Sequence, residues 1–305
     1  MTGALVKAGL SRVKVGAIDF SSKVQECAGR AQSLERTQSV VHWLRAEASV
    51  NVDVEILFGL PLQTTESLEE TCERMIDLTP DRIVLRGYIH APRFAKRQSM
   101  IDPKSVPDPS NRRRQFEAAA KMLRTAGYRE VGFDWFERAE GAWKVDQEQG
   151  SPPSDPTNSE KSGLARTTLG FGAGASSRFP GGVVQNSRST RQYIDAVCSC
   201  ETAVDAGVSF DLSQRVRARA IEMLMNSFII NHEALRSEFG GFAEMLEPIV
   251  AEAESRFDEH WLRFGGGSEY MRRRDRAYAI ASHLATKRNR SEFPAGTKTA
   301  AFQKN

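Results

Sequence analysis

Cysteine is scarce in this chain: four in 305 residues, at Cys27, Cys72, Cys198 and Cys200. Only the last two are close, as Cys-x-Cys in a polar setting. So few thiols exclude a disulfide-built scaffold, and a structural zinc site or a cubane iron–sulfur cluster wants three or four thiolates in a compact spacing. The four read as reduced thiols of a cytosolic protein, with no metal site. Long apolar runs are missing too, none approaching the roughly 18 residues of a membrane span. The first residues lack the basic start, apolar middle and small-residue cleavage site of a signal peptide. The expected location is therefore the cytoplasm, with no membrane partner. Nor is one sign of charge in excess: 42 basic against 39 acidic residues leave a formal +3. That is too little to mark a nucleic-acid surface, so no nucleic-acid partner is expected.

What is present is core-forming. The chain is 40% apolar, enough for one large domain or two ordinary ones. Leu5 to Gly9 reads as the tail of a helix, and Arg12 to Phe20 alternates like a strand. Lys23 to Arg30 is a helical turn; from Ser33, Leu34, Val40, Val41 and Leu44 recur at helical spacing. Val52 to Phe58 is a near-continuous apolar run of strand formers, closed by Gly59-Leu60-Pro61 and interrupted by Glu55. A run of this kind suits a parallel sheet covered on both faces. The acid inside it must reach a polar cavity or a cation. Thr64 or Thr65 caps the next helix, with Leu68, Cys72, Met75 and Ile76 as its buried stripe and Pro80 at its end. Asp81 to Tyr88 is a third strand, ending at His90. These are βα units of a parallel sheet, whose ligands gather at the carboxyl ends of the strands.

Downstream, Ser110 is expected to cap a helix with the stripe Phe116, Ala119, Ala120 and Leu123. Tyr128 to Phe136 reads as one more strand. Residues 148–168 form a Pro/Ser-rich linker or loop. From Arg191 the periodicity is helical, through Val216, Ala220, Leu224 and Phe228 to Ala285, and 287–305 is a polar tail.

Several motifs invite a chemical reading. Gly170-x-Gly172-x-Gly174 has the look of a phosphate loop, but Ser176 to Pro180 break any following helix; close backbone packing is the expectation. Two triple-arginine runs, at 112–114 and 272–274, suit solvated helix surface or an anionic ligand. His90 suits either an acid–base role or a satisfied structural histidine. Arg30 follows the first strand on the side where Glu55 can point, and would pair with that acid or with a ligand carboxylate.

Taken together these segments resemble the oxygen-independent coproporphyrinogen III oxidases, which are radical S-adenosylmethionine (SAM) enzymes. Val15-Gly16-Ala17-Ile18-Asp19-Phe20 is similar to the family's Gly-Val-Gln-Asp-Phe strand. Gly29-Arg30-Ala31-Gln32-Ser33 answers Asn-Arg-x-Gln-Ser, and Glu55 to Thr64 answers Asp-Leu-Ile-Tyr-Gly-Leu-Pro-x-Gln-Thr. Tyr88-Ile89-His90-Ala91-Pro92 is similar to Tyr-Ala-His-x-Pro, and Gly132-Phe133-Asp134-Trp135-Phe136 to Gly-Met-Asp-His-Phe. The likeness runs from about residue 10 to 230.

The resemblance implies an α/β fold: the C-terminal part of a partial (β/α) barrel over 1–147, then a mostly helical accessory domain over 169–286. It implies SAM and a [4Fe–4S] cluster as cofactors, and oxidative decarboxylation of two porphyrinogen propionates to vinyls. By the same resemblance Arg30 and Glu55 contact SAM. The expected partner is a porphyrinogen or haem-like small molecule, and the expected state a monomer. The departures are specific. The cluster motif Cys-x-x-x-Cys-x-x-Cys and the glycine-rich SAM loop are absent. Ile18 replaces the glutamine, Glu55 the aspartate, and Trp135 the histidine. The segment from Ser151 to Lys161 replaces Asn-Phe-Gln-Gly-Tyr. The chain thus reads as a truncated, diverged copy that is inactive alone, whose alternative is a non-catalytic haem- or porphyrin-binding remnant or the product of a pseudogene.

Overall fold

The structure, a computed structural model, describes residues 2–46, 50–93, 96–138, 167–264 and 269–286. The chain divides into two compact units, Met1–Val145 and Asp146–Asn305.

The first unit opens with helix α1 (Thr2–Lys7) and strand β1 (Arg12–Ala17), followed by α2 (Ser22–Ala28) and α3 (Leu34–Ala46). Strand β2 (Asn51–Phe58), helix α4 (Thr65–Asp77) and strand β3 (Arg82–Gly87) continue the pattern. Strands β1, β2 and β3 are parallel neighbours, with Gly16 opposite Glu55 and Glu55 opposite Val84. Helix α5 (Pro109–Thr125) leads to β4 (Tyr128–Val131) and β5 (Trp135–Arg138). The expected single strand over 128–136 is instead a hairpin, turning at Gly132 with φ +65°. A left-handed residue with no Cβ lets the chain reverse there at little cost. Its strand β5 joins β3 antiparallel, giving the order β1-β2-β3-β5-β4.

Register sorts the side chains between two faces. Val52, Val54, Ile56 and Phe58 align with Ile83 and Leu85, all buried, and the Phe58 ring packs on Phe116 of α5 at 5.4 Å. Helix α4 buries Leu68, Thr71, Cys72 and Met75, capped by Thr64 and Ser67 in a reciprocal box. Helix α5 buries Phe116, Ala119, Ala120 and Leu123; its cap is Asp108, not Ser110, because Pro109 supplies a preset first helical residue without a donor. In α3, Val40 is exposed while Thr37 joins Val41 and Leu44 inside.

Gly59, at the end of β2, has φ +77°, and a Cβ there would lie 2.6 Å from Nε of Arg112. The Arg112 guanidinium is itself fastened to the Tyr88 carbonyl at 2.6 Å. Gly59→Ala is therefore expected to lower unfolding stability by about 1–3 kcal/mol, from backbone strain and a displaced arginine. Urea denaturation of the two proteins reads this directly; equal midpoints would refute it.

The second unit carries an antiparallel sheet of β6 (Ser176–Phe179), β7 (Gly182–Asn186) and β8 (Val204–Ser209), with α6 (Thr190–Cys198) between the last two. The helical pieces expected from Arg191 are interrupted by β8, a strand the periodicity did not show. Helices α7 (Leu212–Ser227), α8 (His232–Phe239), α9 (Glu247–Phe264) and α10 (Glu269–Thr286) follow. Their common core holds Val216, Ala220, Leu224, Leu235, Leu246, Ile280 and Leu284. Phe228 packs against this core too, at the end of α7, where it takes the left-handed region at φ +62°. Of the glycines at 170–174 only Gly170 shows the close packing expected, where a Cβ would strike the Ser176 carbonyl; Gly172 and Gly174 instead take positive φ, +106° and +72°. The expected linker falls largely, and the polar tail wholly, outside the described residues. No helix among the described residues is long and apolar enough to cross a membrane.

Candidate functional site

The face of the first sheet opposite α5 carries two rows of charge, with the apolar cluster of Val84, Val131 and Trp135 between them on the side of β3. At the amino-terminal end of the parallel strands, Arg12 Nη1 donates to both Asp53 oxygens at 2.7 and 3.0 Å. Arg82 donates to Glu137 Oε1 through Nε at 3.3 Å and Nη2 at 3.2 Å, and Arg129 reaches Glu137 Oε2 at 3.3 Å. Signs thus alternate across all five strands, from Arg12 through Asp53, Arg82 and Glu137 to Arg129. Three members are almost fully enclosed, with Asp53 at 0%, Arg82 at 2% and Glu137 at 3% exposure. The Arg82 guanidinium also covers the Trp135 ring at 5.7 Å. Burial pulls Arg82 below the usual arginine range and Arg12 adds repulsion, while Glu137 and Asp53 oppose both. Burial likewise raises Asp53 despite Arg12 beside it.

The second row lies nearer the carboxyl ends. Glu55 Oε2 accepts from Arg86 Nε at 3.0 Å and lies 3.4 Å from Lys14 Nζ. Arg30, just past the left-handed Gly29 that ends α2, folds back over β1. Its Nη2 stands 3.6 Å from where a Gly16 Cβ would be, which places the guanidinium over that position of β1. Because Gly16 and Glu55 are register partners, Arg30 and Glu55 share one face. They do not bond each other; the acid is held by Lys14 and Arg86 instead. Beyond this row Ile18, Val24 and Leu60 form an apolar cluster with Leu57 and Tyr88. The Tyr88 hydroxyl sits 3.3 Å from Nδ1 of His90. Ile89, at the position of the family's small residue, is exposed.

A polar network lies beneath this corner, and of its members Asp19, Gln32 and Gln63 stand in the motifs that carry the resemblance, whereas Gln115 does not. Gln63 Nε2 donates to Asp19 Oδ2 at 2.8 Å and to the Leu57 carbonyl at 3.0 Å, while its Oε1 accepts from the Leu60 N–H at 3.2 Å. Gln115 Nε2 donates to the Gln63 carbonyl at 2.9 Å, and its Oε1 accepts from the Gly59 N–H at 3.0 Å. Gln32 Nε2 donates to the Gly16 carbonyl at 2.9 Å and to Thr37 Oγ1 at 2.8 Å. Side-chain amides, each able to donate and accept, thereby fix the loops after β1 and β2. The signal for Gln32 and Gln63 was their place in those motifs, and Gln115, between Arg114 and Phe116, carried none.

Burial raises the Asp19 carboxyl above its ordinary value, against the hydrogen bonds from Gln63 and Ser21. The folded carboxyl therefore holds its proton at a higher pH than the unfolded one. Between those two values the native state binds more protons, so this group's contribution to stability rises as pH falls. Unfolding free energy measured from pH 7 downward, compared with that of Asp19→Asn, should show the difference moving in favour of the parent chain on acidification. A constant difference would contradict the assignment.

The residues do not fit a cubane cluster. Each unit holds two of the four cysteines, and such a cluster takes three or four thiolates. Cys72 is buried under α4 with its thiol pushed up to about 12, while Cys198 and Cys200 are exposed. Among the described residues no group of three or more His, Cys, Asp or Glu is placed to hold a metal ion. The arginines at 112–114 are not a uniform surface: Arg112 is enclosed against Gly59, Gly87 and Tyr88, and Arg114 bonds Asn111.

Comparison with known proteins gives consistent relatives. The chain is 33% identical to the oxygen-independent coproporphyrinogen III oxidase of Paracoccus denitrificans, over 84% of this chain and 56% of the relative. It is 34% identical to the enzyme of that name from Cereibacter sphaeroides strain ATCC 17025, over 83% of this chain and 56% of the relative. The anaerobic coproporphyrinogen III oxidase 1 of Cereibacter sphaeroides is 31% identical over 90% of this chain and 61% of its own length. The chain thus spans little more than half the length of these relatives. The solved structure of coproporphyrinogen III oxidase from Escherichia coli, a radical SAM enzyme, superposes with a TM-score of 0.75 at 23% identity. That match covers 93% of this chain and 66% of the other, and shows a shared fold. No family model matches the chain.

Proposed function

Because the chain is a homologue of the oxygen-independent coproporphyrinogen III oxidases, we propose that it is a coproporphyrinogen oxidase-like protein of porphyrin and haem biosynthesis. The reaction of that reading is oxidative decarboxylation of two propionates to vinyls. SAM and a [4Fe–4S] cluster would supply the radical chemistry, and the described residues offer no cluster ligands. What supports the reading is the homology over more than four fifths of the chain, together with Arg30 and Glu55 on one face of the sheet. The site residues of this proposal are those two, with Lys14 and Arg86 holding the acid. The chain by itself is inactive, cytoplasmic and monomeric.

Anaerobic incubation of the purified chain with coproporphyrinogen III, SAM and dithionite should yield no protoporphyrinogen and no carbon dioxide. Turnover above the protein-free control would overturn the claim of inactivity. A second reading, a haem- or porphyrin-binding remnant, is favoured by the apolar corner of Ile18, Leu57 and Tyr88 with His90 beside it. Titration with haemin should then shift the Soret band saturably, and His90→Ala should abolish the shift; an unsaturable titration would reject it.

A further inference from the structure

The segment from Tyr88 to Ser105 follows the carboxyl end of β3 and is pinned beside the loop after β2 by its own polar groups. Gln98, in the short 3-10 turn Lys96–Met100, donates from Nε2 to the Ile89 carbonyl at 3.0 Å, and its Oε1 accepts from the Ala91 N–H at 2.6 Å. At the other end the Ser105 carbonyl accepts from the Leu62 N–H at 2.8 Å. Between them the Asp102 carboxylate accepts from the Lys104 N–H at 2.9 Å.

Fastened in this way, the segment turns two kinds of side chain toward water. Large apolar ones are open: Ile89 at 75%, Met100 at 93% and, on the adjoining loop, Leu62 at 53% exposure. Exposed apolar residues scattered singly are ordinary. Here Gln98 brings the turn that ends in Met100 to Ile89, and Ser105 brings the same segment to Leu62. Arg93, Arg97 and Lys104 are exposed as well, and among the described residues none has an ion-pair or hydrogen-bond acceptor for its charged end. Asp102 is the one acid in 88–105 of the sequence, and its carboxylate caps the turn at 103–105.

A ligand suited to this surface is apolar in its body and anionic at its edge. An inorganic anion would use the arginines and leave Ile89 and Met100 wet, and a neutral apolar molecule would leave the cations unused. An anionic membrane offers both features, but it is met by apolar side chains spread along a helix face. These stand around strand ends instead, continuous in the chain with Tyr88 and His90. A tetrapyrrole polycarboxylate meets both demands, with a broad apolar ring and carboxylates that arginine forks match.

We propose that the segment 88–105 is a docking strap for a tetrapyrrole polycarboxylate, with Ile89, Met100 and Leu62 under the ring and Arg93, Arg97 and Lys104 on its carboxylates. The inference rests on the proposed function, whose substrate carries propionates, and assigns the side chains that recognise them.

The probe is coproporphyrin III, metal-free, so that His90 cannot hold it through iron. Fluorescence titration of the full chain at low ionic strength should show saturable binding, weakened by added salt. Arg93→Ala combined with Arg97→Ala should weaken it about fivefold, the effect of two exposed charge pairs. Ile89→Ser combined with Met100→Ser should weaken it about tenfold through lost apolar contact. Citrate, which has carboxylates but no apolar body, should not displace the porphyrin. Circular dichroism confirms that each variant is folded. Parent-like affinity in both double variants would refute the strap and leave the homology-based function standing, the porphyrin then binding elsewhere. No saturable binding to the parent chain would refute the strap and count against a porphyrin substrate as well. Binding of anionic phospholipid vesicles in place of the porphyrin would make the segment a membrane contact and overturn the assignment.

Discussion

Replacing Arg82 with methionine is expected to cost about 3–5 kcal/mol of unfolding free energy, the range for removing one partner from a buried ion pair. The reason is what stays behind. Glu137 loses its two bonds from Arg82 and keeps only Arg129, which is half-exposed. Asp53 keeps Arg12 but loses the second positive charge that holds its carboxylate ionised. Methionine fills much of the same space beside Trp135, so cavity formation contributes little and the loss reports the electrostatics. Chemical denaturation of the parent, Arg82→Met and the pair Arg82→Met, Glu137→Leu separates the terms. The pair should recover part of the loss, because an uncompensated carboxylate is worse than none. A single-variant loss under about 1 kcal/mol would show the row to be incidental.

Gln63→Leu is the second large effect, at about 2–4 kcal/mol, since leucine strips a hydrogen bond from each of three enclosed groups. They are the Asp19 carboxylate, the Leu57 carbonyl and the Leu60 N–H. The pH dependence is diagnostic. Gln63 is a main influence holding the Asp19 carboxyl down against burial, so its removal raises that carboxyl further. Protonation then relieves the variant, and the cost of the substitution should shrink as pH falls from 7. A penalty independent of pH would assign the loss to packing rather than to Asp19.

How much of this was legible in the residues depended on how local the cause was. The strands at Val52 and Asp81 and the helices after Thr64 and in 109–125 follow from apolar period, caps and proline, all of which act within a few residues. That Arg30 lies on the side of Glu55 was legible from its place after the first strand, their role towards SAM came from resemblance, and only the parallel register shows that Gly16 connects them. The neutralisation of Glu55 was not visible, because Lys14 and Arg86 lie on different strands and their meeting is a property of the sheet. The hairpin at 132 and the strands of the second unit were missed for a different reason. Ser176–Phe179 and Val204–Ser209 are short, rich in serine and glycine or largely exposed, so no alternation marks them. The network of Gln63, Gln115 and Asp19 joins residues up to 56 apart, beyond the reach of any pattern along the chain.

The hairpin of β4 and β5 has a consequence for the order in which the first unit assembles. Asp53 can meet Arg12 across 41 residues, but Arg82 must await Glu137, 55 residues further along. Until then Arg82 would have to leave water without its principal counterion, which is unfavourable. Docking of the hairpin is thus the step that lets the middle of the sheet dry, and such long-range closures are slow. A chain halted before residue 137 is expected to hold an open, hydrated strand β3.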